Sequence, residues 1–184
     1  MTKPTIKMLA WGWLLGIASA ALVGIVILVL VLTGVAFNTS ATSADSQIFA
    51  AAIHATMTNS VKRRASGGAP RLPLDTATLL AGAREYETHC IACHGGPGVA
   101  RAPWASAMLP TPPYLLDTPN RWSHAELYTI VHDGVKMTAM PAWGEVESDR
   151  QIAAIVAFLE VLPKMTTAQF DRVRQRARPP LLAR

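Results

Sequence analysis

The chain has 184 residues, 51% of them hydrophobic, and a formal net charge of +5, which is room for one ordinary domain with extensions. Its positive mean hydropathy of +0.25 does not describe a large soluble core, because much of the apolar content lies in one N-terminal stretch. The charge is equally uneven: residues 75–163 carry five basic against ten acidic side chains, and the basic, aromatic-studded surface of a nucleic-acid binder is excluded.

No charged residue occurs from Met8 to Phe37. A membrane-spanning helix needs about 20 apolar residues, whereas a secretory signal has an apolar region of about 7–15. The run therefore reads as an uncleaved anchor over 8–37, although Ala18-Ser19-Ala20 resembles a cleavage site. Lys3 and Lys7 precede it and no basic residue follows until Lys62. Positive residues stay on the cytoplasmic side, so residues 1–7 are expected inside and everything after the span on the periplasmic side of an inner membrane. Trp11 and Trp13 suit the interface. Gly12, Gly16, Ala20 and Gly24 recur every fourth residue, a ridge of small side chains on which another membrane helix could pack.

Residues 38–74 read as a periplasmic stalk and linker. Gln47 to Arg64 can form a helix with Ile48, Phe49, Ala52, Ile53, Met57 and Val61 on one side, and 65–73 is a Gly/Pro-containing linker. Asp75 is a good N-cap for a helix from Thr76 to about His89. A glycine- and proline-rich loop runs from Gly95 to about Asn120, long enough to suggest that it wraps something. Ser123 with Glu126, and Ser148 with Gln151, are capping boxes. They open helices that end at Gly134 and Pro163. The segment 164–184 is a basic C-terminal tail. No strand-like alternation competes, so the fold class is all-α.

The only cysteines are Cys90 and Cys93. A disulfide and a thioredoxin-type redox pair are the competing readings. The following residue is His94, and Cys90-Ile91-Ala92-Cys93-His94 is the c-type haem attachment sequence. The two thiols would form thioethers with one haem, and His94 would be the proximal iron ligand. A zinc site built on this pair would want a second pair of Cys or His ligands, and none is present. Downstream, Met137 and Met140 lie in Lys136-Met137-Thr138-Ala139-Met140-Pro141-Ala142-Trp143. Met140 is the better candidate for the second axial ligand, because Pro141 stiffens its turn. Met137 is the alternative, and core filling is the bland reading for either. His54, His89, His124 and His132 are not expected to bind iron, with His89 and His132 on the surface.

With these residues, the stretch from Asp75 to Pro163 resembles the class I cytochrome c domain, here with one N-terminal transmembrane helix added. The resemblance implies one covalently bound haem c whose iron is held by His94 and Met140. It implies that the first and last helices cross at Gly82 and Tyr86 against Phe158. It also implies a loop proline whose carbonyl holds the His94 ring, with a leucine two residues on. Pro113 with Leu115 fits best, and Pro112 and Pro103 are rivals. Trp122 and Trp143 are candidates to line the haem edge, although burial without haem contact suits Trp122 equally.

With both axial positions filled, no small-molecule substrate can coordinate, and an electron-transfer protein is expected rather than an enzyme. Its partner would be a membrane redox complex: a dehydrogenase, a quinol–cytochrome c reductase or a terminal oxidase. A fixed subunit is favoured over a tethered shuttle because the linker is short. A haem-based gas sensor is the reading from another class. The acid-rich 75–163 segment would dock on a basic surface.

Overall fold

The computed structural model describes residues 3–117 and 121–178, with side chains from Lys7 onward except that of Asp117. Met1 and Thr2, the Lys3 side chain, the loop end at 118–120 and the end of the tail at 179–184, with Arg184, lie outside the described residues. Two compact units divide the chain, Met1–Ala44 and Asp45–Arg184. The described elements are helical, and the only pairing of strand type among the described residues is an isolated bridge between Gly96 and Val99.

The first unit is built on α1, Lys3–Leu32. Its 26 residues from Lys7 to Leu32 are long and apolar enough to cross a membrane. The helix stops at Leu32, short of Phe37 where the uncharged run ends. Gly34 takes a positive φ of 73°, and the Thr33 hydroxyl folds back on the Val29 carbonyl (2.7 Å).

The second unit begins with α2, Gln47–Arg64, capped by Ser46, whose hydroxyl accepts the Phe49 N–H (3.2 Å). Of the apolar side expected there, Val61 is the one residue fully buried, while Ile48 and Ile53 are exposed. The helices that follow are α3, Thr76–Glu85, and α4, Ile91–His94, joined by a π-helical turn over Tyr86–Cys90. The sequence reads as one continuous helix here; the wider turn lets the chain re-aim before the cysteines. Next come α5, Pro103–Ser106; α6, His124–Asp133; α7, Asp149–Val161; and α8, Thr167–Ala177. Asp75, Ser123 and Ser148 all cap as their sequence positions suggest, the last two as full capping boxes.

The core is the crossing of α3 and α7. A Cβ on Gly82 would lie 2.0 Å from the Ala154 carbonyl oxygen, so this backbone approach requires glycine. One turn on, the Tyr86 ring sits 5.4 Å from Phe158 and 6.3 Å from Phe170. Ile152, Ile155, Val156 and Leu162 complete the buried centre.

The linker is not loose. His124 Nε2 meets the Pro70 carbonyl (2.9 Å), its Nδ1 meets Glu160 (3.0 Å), and Arg71 reaches the same carboxylate (3.5 Å). Arg64, at the end of α2, pairs with Asp133.

The basic tail is also more than a tail. A third capping box, Thr166 with Gln169, opens α8. Phe170 and Ala177 of this helix are buried, and Arg174 and Arg178 both bind Glu87 (2.6 and 2.9 Å). Burial pushes the Glu87 carboxyl up, but the hydrogen bonds and charge of the two arginines outweigh it and hold the group below its usual value. A carboxyl with a depressed folded-state value contributes stability above the ordinary carboxylate range and loses it as pH falls through that depressed value. The charge reading changes as well. Residues 75–178 carry ten basic and eleven acidic side chains, so the domain with its docked helix is close to neutral rather than acidic.

Removing the Phe170 ring should therefore act as a core mutation. Phe170→Ala is expected to lower unfolding free energy by about 3–5 kcal/mol, read by chemical denaturation of the detergent-solubilised protein. A change within a few tenths of a kcal/mol would mean that α8 is an appendage.

Candidate haem-attachment site

The attachment motif is carried on the turn that leaves the core. Tyr86 is buried, burial pushes its phenol well above the ordinary range, and the neutral hydroxyl donates to the Gly95 carbonyl (2.7 Å). That bond ties the residue after His94 to the helix crossing. Gly95 itself has φ 63°, and a Cβ there would lie 2.6 Å from the Val99 oxygen and 2.8 Å from the Tyr114 ring. The motif is thus closed tightly on its C-terminal side.

Both thiols are free. Cys90 packs at the margin of the core; burial pushes its thiol up to about 12, with Cys93 and Glu85 adding to the rise. A catalytic Cys-x-x-Cys needs the opposite, an accessible thiol with a depressed value. The donor set fits covalent attachment of an apolar macrocycle better than thiol–disulfide exchange.

His94 Nδ1 lies 2.7 Å from the Pro113 carbonyl. A carbonyl only accepts, so Nδ1 carries the proton and Nε2 presents its lone pair. Burial holds the ring below its usual pKa, more strongly than the Pro113 bond raises it, and the Arg101 charge also lowers it. A neutral, oriented imidazole with Nε2 available is the form that ligates a metal, and the carbonyl partner fixes its orientation.

The three candidate prolines of the loop have separate places. Pro103 opens α5, the Pro112 carbonyl accepts from Arg101, and Pro113 faces His94. The Arg101 guanidinium also lies 4.0 Å from the centroid of the Tyr114 ring. This clamp on both sides of Pro113 has no signature in the sequence, because Arg101 and Tyr114 are remote from each other and neither belongs to a motif.

Met140 and Met137 differ sharply. Met140 is partly buried against the core, as are Cys90, Leu115, Trp122 and Trp143. Met137 sits at the tip of the turn with φ 63° and is 70% exposed. The loop is held at its base: Val135 N–H donates to the Met140 carbonyl (3.2 Å) and Met140 N–H to the Thr138 hydroxyl (3.1 Å). Gly134, at φ 65°, lets the Pro141 backbone pass where a Cβ would come within 2.5 Å. Trp143 stacks at an angle on His89, with centroids 4.6 Å apart. His89, expected at the surface, is partly buried between this indole and two carboxylates.

Residues 77–159 match the family model described as "Cytochrome C oxidase, cbb3-type, subunit III". With the helical architecture and the Cys-x-x-Cys-His turn, this makes the helical unit a c-type cytochrome domain, a haem-bearing module of electron transport. No curated protein matches the chain, and no solved structure does.

The clamp on Pro113 makes a local prediction. Arg101→Ala removes a charged hydrogen bond and a cation–π contact, together worth about 1–2 kcal/mol. Amide exchange at Tyr114 and Leu115 should accelerate roughly ten-fold while exchange in α7 stays unchanged. Equal exchange in the variant would show that Arg101 does not hold the segment.

Proposed function

We propose that this protein carries single electrons through one haem, fixed by thioethers from Cys90 and Cys93 and ligated by His94 and Met140. In this reading it is a membrane-anchored, non-enzymatic subunit of an oxidase-type respiratory complex, with its haem unit on the periplasmic face of the inner membrane. The observation that carries the reading is the Pro113–His94 bond, because it leaves Nε2 of a neutral imidazole available on the residue that follows Cys93. Bound haem would supply the one-electron couple, and Cys90, Cys93, His94 and Met140 would hold it. The partial burial of Met140 against the core, where Met137 is exposed, supports the choice of methionine. Leu115, Trp122 and Trp143, each partly buried against the same core as Met140, would line the haem edge. Thioether ligation favours ferrous iron and so a higher potential than a second imidazole gives.

Two features favour a subunit over a swinging shuttle. Residues 47–74 are pinned to the haem unit through Val61, Arg64, Pro70 and Arg71, which leaves residues 33–46 as the stretch between α1 and α2. On α1, Gly12, Gly16 and Gly24 face open space, where an added Cβ would meet nothing within 4 Å. The family match to an oxidase subunit points the same way.

The ligand assignment is tested by paired substitutions. Met140→His should keep the haem bound and lower the reduction potential, because imidazole stabilises ferric iron better than a thioether does. Met137→His should leave the potential where it is. The reverse pattern would transfer the role to Met137.

The anchor has its own test. Gly16→Leu with Ala20→Leu should release the cytochrome from co-purifying subunits in mild detergent while its haem spectrum stays intact. Full co-purification of the double variant would reduce α1 to a tether.

A further inference from the structure

The geometry points to a divalent-cation site of the zinc class at Glu85, His89 and Glu147, on the flank of the α3–α7 crossing. Glu85 and His89 are one helical turn apart across the end of α3 and the π turn, a spacing that stacks side chains on one face. Glu147 comes from the segment that follows the Met140 loop, just before the Ser148 cap of α7. The three donor atoms lie within 4.8 Å of one another. His89 Nε2 is 3.1 Å from Glu147 Oε1 and 3.5 Å from Glu85 Oε2. Bonds of 2.0–2.2 Å to a tetrahedral ion put donors about 3.4 Å apart, so one ion fits between them with little rearrangement.

Three further observations separate this cluster from an ordinary surface ion pair. First, Nε2 has at most one proton to offer, yet two carboxylates converge on it; a divalent ion satisfies both. Second, neighbouring Glu87 is neutralised by Arg174 and Arg178, whereas no lysine or arginine among the described residues pairs with Glu85 or Glu147. Third, the outer oxygens of both carboxylates are held by a single amide. Gln151 Nε2 donates to Glu85 Oε1 (3.4 Å) and to Glu147 Oε2, leaving Glu85 Oε2 and Glu147 Oε1 directed at the imidazole. The capping box locks that amide the right way round, because Gln151 Oε1 accepts from the Ser148 N–H (3.1 Å) and hydroxyl (2.6 Å). Outer partners of this kind orient metal ligands.

One imidazole nitrogen and two carboxylate oxygens suit a borderline ion without geometric demands of its own. Zn2+ takes such a set with water in the fourth position. Ca2+ prefers six to eight oxygens and is disfavoured by the nitrogen. Bound there, the ion would join α3 to the segment that carries Trp143 and follows Met140.

The test is metal retention by the full-length holoprotein in detergent, free of any affinity tag. After incubation with ZnCl2 in the presence of excess CaCl2 and then dialysis, the zinc-to-iron ratio is read by elemental analysis, with haem iron counting the folded chains. Wild type should hold about one zinc per iron, in keeping with a single three-ligand site. Glu85→Gln and Glu147→Gln, which keep side-chain size and the Gln151 contacts nearly intact, should each weaken retention by at least the roughly 10–100-fold that losing an outer partner costs. Unchanged haem spectra would show that both variants are folded. No zinc on the wild type, displacement by calcium, or equal zinc on all three proteins would overturn the proposal and leave a charge triad only.

Discussion

The second unit depends on one close approach, the passage of Gly82 across the Ala154 backbone. With helices this near, the side chains one turn further on are forced together, and Tyr86 is driven between Phe158 and Phe170. The buried phenol must then find an acceptor, since an unpaired buried hydroxyl costs about 1–3 kcal/mol. It finds the Gly95 carbonyl, and so the core determines where the residue after His94 sits. From Gly95 the constraint passes to Tyr114, then to Arg101 and Pro113, and returns to the His94 ring. The attachment turn is thus oriented by packing that begins outside it.

The same helices carry two electrostatic devices with opposite consequences. Glu87 is matched by two arginines of α8, and the helix is drawn onto the domain. Glu85, two residues earlier, has no such partner among the described residues and turns with Glu147 toward an imidazole. A net charge taken over 75–163 misses this arrangement, because the arginines that balance the domain come from the segment set apart as a tail. Docking driven by a uniformly acidic face is therefore not what the charge pattern suggests. The exposed apolar residues Trp104, Tyr114 and Leu116 lie on the loop that carries Pro113.

Much of this was readable from local signals. Caps at Asp75, Ser123 and Ser148 act within three residues of themselves, so their chemistry is visible in the sequence. Cys90, Cys93 and His94 are adjacent, and the Gly134 and Pro163 stops are single-residue effects. What was not legible depends on distant partners. Helix α8 buries one aromatic in a charged stretch, which gives no clear apolar period, although Thr166 and Gln169 did advertise its start. The π turn at Tyr86–Cys90 leaves no mark in composition. The roles of His124, Arg101 and His89 depend on partners such as Glu160, Pro112 and Glu147, which are 36, 11 and 58 positions away. The end of α1 at Leu32 turned on the φ of Gly34, which hydropathy does not record.

The claim at the centre is that His94 and Met140 together close the axial positions of a single haem. Proton NMR of the reduced protein tests it most directly, because the ring current of the haem displaces the methyl group of an axial methionine far upfield of all others. The account predicts one such methyl resonance, present in wild type and in Met137→Leu and lost in Met140→Leu. Its absence from wild type, or its survival in Met140→Leu, would contradict the account.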